Sequence, residues 1–468
     1  MNKKDIVIDS LTIFNRLVFA SERESTLEES LQYELTAMPM SLFNNEQMMR
    51  KANKAALGQY LKNVVDCTVT FSNPSSPLII DGGWLLYQVT SFTGFETYGD
   101  IANEYLKLVP KPEQRKVIVV FDGYARSTKD HEHQRRIKAY CSDIAIKSTT
   151  VCTVPMKKLF SNSKNKHELI MLLSNVFTEH GIEVHVATDD ADTMVASKAL
   201  NLSFNEDVEV KAEDTDILCL LIHHFTENHN EIVMTTRNGS HSISKIVNAL
   251  DANIKRILLF VHSFSGCDTV SSIHGFGKVK ILKKAVSFHE EGHLASLLSV
   301  RVSTNEVIEA GLSLFQHIYG DKTKALETLR FLSYSRMIAK KKLNPSRLPP
   351  ATSSATEHIL RSYLQYHNWV TLDTASLNPL YYGWEMSSEG YYRPIPTKAA
   401  IAPAGMLNLI CCNCSVEVEN PCQYLRCSCR KYGFKCLPAC GQCHGLSCTN
   451  APERQEDSGE SNNSEEMV

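Results

Sequence analysis

No apolar stretch in this 468-residue sequence approaches the length needed to cross a membrane. The longest runs, such as Val117 to Phe121 and Ile257 to Val261, are the size of a strand or a core helix, whereas a spanning segment needs roughly 18 residues. The first residues do not read as a secretory leader either, because Asp5 and Asp9 interrupt the apolar core such a leader requires. A soluble, intracellular chain with no membrane partner is expected. An excess of one charge is also missing. Lys and Arg number 49 against 52 Asp and Glu, and the resulting net charge of −3 neither requires nor forbids nucleic acid as a partner. Cysteine is sparse over most of the chain. Ten of the 15 fall between Cys411 and Cys448, and in a reducing compartment such crowding indicates metal ligation rather than disulfides.

The length exceeds what one ordinary core supports, so several folded units are expected. Residues 1–75 read as a helical N-terminal segment, with Leu11, Phe14, Leu17 and Val18 on one face and no evident chemistry. Residues 76–342 alternate short apolar runs with helical stretches. The runs are Leu78 to Ile80, Lys116 to Phe121, Ile182 to Ala187 and Ile232 to Thr235, a pattern that predicts an α/β fold with a parallel sheet flanked by helices. Residues 343–410 carry Pro345, Pro349, Pro350, Pro379, Pro394 and Pro396 and predict an irregular linker, although Trp369 and Trp384 lie within it. Residues 411–450 form a small cysteine-rich module, and residues 451–468 have the acidic, Ser/Asn-rich composition of a disordered tail.

Parallel sheets present functional groups at the carboxyl ends of their strands, so aspartates that close apolar runs form a natural set. Asp81 ends the first run and Asp122 ends V-V-F-D-G; Asp190 and Asp192 begin a helix, with Asp189 as the alternative to Asp190. Asp214 and Asp216 follow in E-D-T-D, and Asp268 follows the helical Ile257 to Phe264. Singly, each has a structural explanation as a turn residue or a helix N-cap. As a convergent set they would repel one another unless a divalent cation neutralised them, and an all-oxygen donor set suits magnesium or manganese. Two such ions, roughly 4 Å apart, serve phosphodiester hydrolysis by activating water and stabilising phosphate charge.

The order of an Asp after a first strand, V-V-F-D-G, an acid-Ala-acid helix start, E-D-T-D, and S-G-C-D followed by I-H-G-F-G-K resembles flap endonucleases and their PIN-like relatives over residues 76–290. That resemblance implies two magnesium or manganese ions held by Asp81, Asp122, Asp190, Asp192, Asp214, Asp216 and Asp268. It further implies that Lys129 and Arg136, seven residues apart and so on one helix face, neutralise the scissile phosphate. Gly275, Gly277, Lys278 and Lys280 match the family's helix-two-turn-helix element, which grips a duplex backbone at a helix N-terminus. The chain departs from the family in placing about 80 residues before its first strand and only about 50 between Arg136 and Asp189.

In the cysteine module, Cys412, Cys414, Cys422, Cys427, Cys429, Cys436, Cys440, Cys443 and Cys448 supply nine thiolates, which can close about three tetrahedral zinc sites only if some are shared. Their spacing resembles the CXC (tesmin/TSO1-like) module, whose members hold three zincs with nine cysteines and often contact DNA. Cys411 and His444 are spare candidates. The stretch from Ser415 to Pro421 is acidic where the family is basic, while Arg426, Arg430, Lys431 and Lys435 alternate with Tyr424 and Tyr432. The combination resembles transposon-associated animal proteins. The leading expectation is a magnesium- or manganese-dependent endonuclease or 5′ exonuclease acting on DNA, with a nuclear location. The rivals are a non-catalytic nucleic-acid or chromatin-binding scaffold on the same fold, and an RNA-cleaving PIN-type enzyme, since metal and phosphate chemistry ignore the sugar.

Overall fold

A computed structural model describes residues 9–70, 73–123, 128–129, 141–188, 190–374, 377–446 and 448–452. The chain forms two compact units, one of residues 39–398 and a smaller one that joins residues 1–38 to 399–468.

The larger unit is organised around a seven-stranded sheet of order β1-β7-β6-β5-β2-β3-β4. Its strands are β1 (Thr68–Val69), β2 (Leu78–Asp81), β3 (Val117–Phe121), β4 (Glu183–Val186), β5 (Val208–Lys211), β6 (Ile232–Thr236) and β7 (Gly239–Ser242). Pairing is parallel from β4 through β3, β2 and β5 to β6, and β7 and β1 add antiparallel to the far edge. The α/β class and the mostly parallel sheet are as the alternation predicted. β2 and β3 read as unbroken apolar runs because helices cover both their faces. Leu78, Ile80, Val117, Val119 and Phe121 share one core with Tyr98, Ile101, Tyr105, Leu169, Leu173 and Phe177, the buried residues of the Tyr98–Lys107 and Ser163–Glu179 helices. Ile79, Ile118 and Val120 alternate to the other face, where the Ala191–Ser203 helix packs across β2, β3 and β5.

Beyond that helix lies a helical layer made by Thr215–His224, Ala252–Phe264, Lys278–Glu290, Thr304–Tyr319 and Thr352–Thr371. The last of these corrects the expected irregular linker. Thr352–Thr371 is a 20-residue helix buried along most of its length, Trp369 included. Its polar residues are engaged in the interior: His358 Nε2 lies 2.9 Å from the Phe264 carbonyl, and Arg361 donates to the carbonyls of Gly383 and Ile395. A hairpin of β8 (Trp384–Met386) and β9 (Tyr392–Pro394) follows.

In the smaller unit the Ser10–Arg23 helix buries Phe14, Leu17 and Val18, as the sequence pattern predicted, while Leu11 is exposed. It packs on the Met406–Ile410 helix and the cysteine module. Phe19 meets the Phe434 ring edge-on, Arg16 lies over that ring, and Tyr432 donates to Glu24. The N-terminal segment is therefore divided: its first helix belongs with the cysteines, whereas Lys54–Lys62 and β1 belong to the larger unit. Among the described residues, no helix is long and apolar enough to cross a membrane.

Candidate metal centres

Four parallel strands deliver the first set of acids. Asp81 ends β2, Asp122 follows β3, and Asp190 and Asp214 lie within four residues of the ends of β4 and β5. The chain runs outward from β2 to β4, then crosses back to β5, so these carboxyl ends meet where the strand order reverses. Local chemistry fixes three of them. Asp81 Oδ1 accepts from Gly83 N at 2.8 Å, Asp190 Oδ1 from Asp192 N at 3.0 Å, and Asp214 Oδ1 from Asp216 N at 2.9 Å. Each caps a helix N-terminus. In both D-x-D pairs the second Asp stands in the first helical turn beside its capping partner. Capping and clustering are thus two consequences of one placement, because a cap uses a single carboxylate oxygen. Gly123 closes the set: a Cβ there would lie 1.8 Å from the Ala187 carbonyl, so only glycine lets the end of β3 approach the end of β4.

The carboxylates crowd one another. Asp192, Asp214 and Asp216 each bring an oxygen within 4.8 Å of the others'. Burial, reinforced by the charges of Asp122 and Asp214, pushes Asp81 up to about 7. Burial and the adjacent Asp216 push Asp214 up to about 6, and burial with Asp190 holds Asp192 well above the usual carboxylate range. Two ammonium groups sit among them. Lys129 Nζ is 2.7 Å from Asp190 and 3.6 Å from Asp192. Lys54 Nζ is 2.8 Å from both Asp216 and Asp268. Burial opposes charge on both lysines, yet the surrounding carboxylates outweigh it and hold each well above the ordinary lysine value. The structure therefore brings all seven predicted aspartates and Lys129 into one neighbourhood. Arg136 and Asp189, together with the helix face proposed for Lys129 and Arg136, lie outside the described residues. The donor set fits hard divalent cations: it is all oxygen, anionic, and already gathered around positive charge.

Two partners were not anticipated. Lys54 comes from a segment that showed no chemical pattern. His262, fully buried, reaches Asp216 Oδ1 through Nε2 at 2.8 Å and stacks on Trp369. A lone histidine inside the apolar stretch Ile257 to Phe264 was the available signal. Behind it Lys278 Nζ lies 2.9 Å from His262 Nδ1 and donates to the His262 carbonyl and Ser265 Oγ at 2.7 and 3.1 Å. Lys278 was expected to reach phosphate; instead it points inward, and burial lowers it to about 8. Of that group, Gly275, Gly277 and Lys280 are exposed at the start of the Lys278–Glu290 helix. The two glycines border a cleft of ≈ 380 Å³ also lined by Arg50, Lys51 and His274.

In the smaller unit the cysteine sulfurs form a packed cluster. Three tetrads have their sulfurs within 4.8 Å: Cys412, Cys414, Cys422 and Cys427; Cys412, Cys427, Cys429 and Cys436; and Cys412, Cys422, Cys436 and Cys443. Cys412 belongs to all three. Its sulfur is 3.7 Å from those of Cys422 and Cys443 and 3.8 Å from Cys436. Zinc–sulfur bonds of about 2.3 Å give a tetrahedral edge of about 3.8 Å, so the spacing fits zinc and is far from a disulfide. Cys440 lies 3.5 Å from Cys429 and Cys448 packs at the margin, but neither joins a tetrad. The spare candidate Cys411 acts with Cys429 to hold the Cys440 thiol well below its ordinary range. His444 is exposed and faces the Pro438 carbonyl. Arg430 is used internally, donating to the carbonyls of Cys422 and Thr449.

No family model matches this sequence, and no curated protein does. Among solved structures, similarity is found to the catalytic core of Rad2 in complex with DNA substrate, at 12% identity and TM-score 0.32 over 64% of this chain and 90% of that one. A bacteriophage T5 flap endonuclease complex with DNA and metal ions matches at 10% identity and TM-score 0.32, covering 64% and 100%. Human GEN1 in complex with Holliday junction DNA matches at 14% identity and TM-score 0.29, covering 65% and 75%.

Proposed function

We propose that the larger unit hydrolyses phosphodiester bonds of DNA with magnesium or manganese ions, and that the smaller unit is a zinc module of the CXC kind. The observation that carries the first reading is the gathering of seven aspartates from four strand ends and the helices behind them around two ammonium groups. Divalent ions held there by Asp81, Asp122, Asp190, Asp192, Asp214, Asp216 and Asp268 would supply an activated water and Lewis acidity toward the phosphate. The chain's own residues do the remainder. His262 fixes the rotation of the Asp216 carboxylate through its Nε2–H. Lys129, and Arg136 by the sequence argument, offer positive charge to the non-bridging phosphate oxygens. Backbone N–H groups at Gly277 and the start of the Lys278–Glu290 helix, with Lys51 and Arg50 around the cleft and Lys280 exposed on the same helix, suit a backbone phosphate at a distance from the scissile one.

A second reading, a non-catalytic nucleic-acid binder on this fold, draws support from one observation: Lys54 and Lys129 already bridge four of the seven acids. Purified protein with magnesium or manganese, presented with flap, bubble, single-stranded and RNA substrates, separates the two. Metal-dependent cleavage that Asp192→Asn abolishes supports the enzyme; tight binding with no cleavage of any substrate supports the binder.

A further inference from the structure

Lys54 is held where a mobile surface lysine would not be. It opens the Lys54–Lys62 helix, whose Asn53 cap accepts from Ala56 N at 3.3 Å. That helix packs on both the Thr215–His224 and Lys278–Glu290 helices. Gly58 makes the first contact possible, since a Cβ there would lie 2.9 Å from Thr215 Oγ1, and the same hydroxyl donates to the Lys54 carbonyl at 3.3 Å. The backbone bearing Lys54 is thereby fixed against the helix bearing Asp216. Its ammonium then bridges Asp216 Oδ2 and Asp268 Oδ1, 2.8 Å from each. Only 19% of the Lys54 side chain and 4% of that of Asp216 is exposed. The other Asp216 oxygen faces His262, so both oxygens of this carboxylate already meet a donor.

We propose that Lys54 is an internal occupant of one of the two cation positions of the centre, so that a divalent ion shares Asp216 and Asp268 only when the ammonium swings out. This rests on the reading of the aspartate cluster as a metal site. Two cations on one pair of carboxylate oxygens repel, and displacing the lysine breaks two short, largely desolvated ion pairs. Lys129 holds its own pair less evenly, at 2.7 Å from Asp190 and 3.6 Å from Asp192, so divalent binding is asymmetric, with the position that uses Asp216 and Asp268 the more weakened by competition from the chain itself. Lys54 thereby sets the metal concentration at which the centre becomes complete.

The test uses the full zinc-loaded chain titrated with Mn2+, with free Mn2+ read by electron paramagnetic resonance. Wild type should bind a second ion at least about tenfold more weakly than the first. Lys54→Met, which keeps the apolar stem but removes the charge, should tighten that second ion about tenfold. Adding Asp268→Asn to Lys54→Met should reverse the gain, while Lys54→Arg should retain the weak second site. An unchanged isotherm in a Lys54→Met protein with native melting behaviour overturns the proposal. So does a pair of equally tight ions in wild type. A wild type that binds no Mn2+ overturns instead the reading of the cluster as a metal site. A second measurement needs no variant: acylation of Lys54 by an amine reagent, followed by peptide mass spectrometry, should rise as Mn2+ saturates the second position. Labelling that stays flat across the titration is equally fatal.

Discussion

A single aspartate in the larger unit serves two masters, the helix it caps and the cluster it joins. Asparagine caps a helix about as well as aspartate but brings no charge. Asp214→Asn should therefore keep the fold, abolish cleavage, and raise the melting temperature of the metal-free protein by a few degrees, because one of several crowded like charges is gone. Thermal denaturation in chelator checks this, and a lowered melting temperature would refute the idea that the bare cluster is repulsive. Lys278 offers a second contrast. As a phosphate contact it would affect only affinity, but its ammonium lies buried against His262 and Ser265. Lys278→Met should cost about 1–3 kcal/mol of stability in urea unfolding by leaving those acceptors unpaired. Lys280→Ala, at an exposed position, should leave stability alone and reduce the salt dependence of DNA binding by about one charge. The reverse pattern would restore Lys278 to the surface role the sequence suggested.

Elements differed in how plainly they could be read. β2 and β3 were legible because central parallel strands are apolar throughout, and the aspartates that end them followed from that. β5 was not read, although it pairs directly with β2. Its Val-Glu-Val-Lys sequence looks half-exposed, but Glu209 is buried against Arg115 at 2.7 Å and Thr235 at 2.9 Å. A buried ion pair disguises a core strand as a surface one. The Thr352–Thr371 helix was hidden in the same way, by interior polar side chains and by the prolines on either side of it. Lys54 was illegible for a different reason. Nothing local marks a lysine whose partners lie more than 160 residues away. The helix makes its own prediction: Trp369 is 1% exposed and stacks on His262, so Trp369→Ala should cost about 3–5 kcal/mol. Its effect should extend to the aspartate centre, seen as weaker Mn2+ binding. A loss below about 0.5 kcal/mol in urea unfolding, the range of surface substitutions, would return this segment to the status of a linker.

For the whole molecule, the division into two units separates two donor sets, oxygens in one and thiolates in the other. A zinc-selective chelator should unfold the smaller unit while the larger keeps its secondary structure and its Mn2+ binding, as circular dichroism with Mn2+ titration can show. A fragment of residues 399–452 alone should hold zinc less firmly than the same residues supplied with residues 9–38, because the Ser10–Arg23 helix covers Phe434 and Ile410. Equal zinc affinity with and without that helix would make it a passenger.

The smaller unit is assembled from both ends of the chain, with the larger unit lying between them in sequence. Synthesis runs in one direction, so the Ser10–Arg23 helix leaves the ribosome at least about 390 residues ahead of the cysteines it packs against. During that interval the apolar stripe of Phe14, Leu17 and Val18 lacks the cover that the Met406–Ile410 helix gives it, and the intervening unit can complete its sheet first, since domains fold as they emerge. Any metal the cysteines take up is thus captured only after the larger unit has been made. Premature termination between residue 398 and the first of the cysteines would release a protein with a finished aspartate centre and an incompletely covered apolar helix, a product that quality-control machinery is suited to remove.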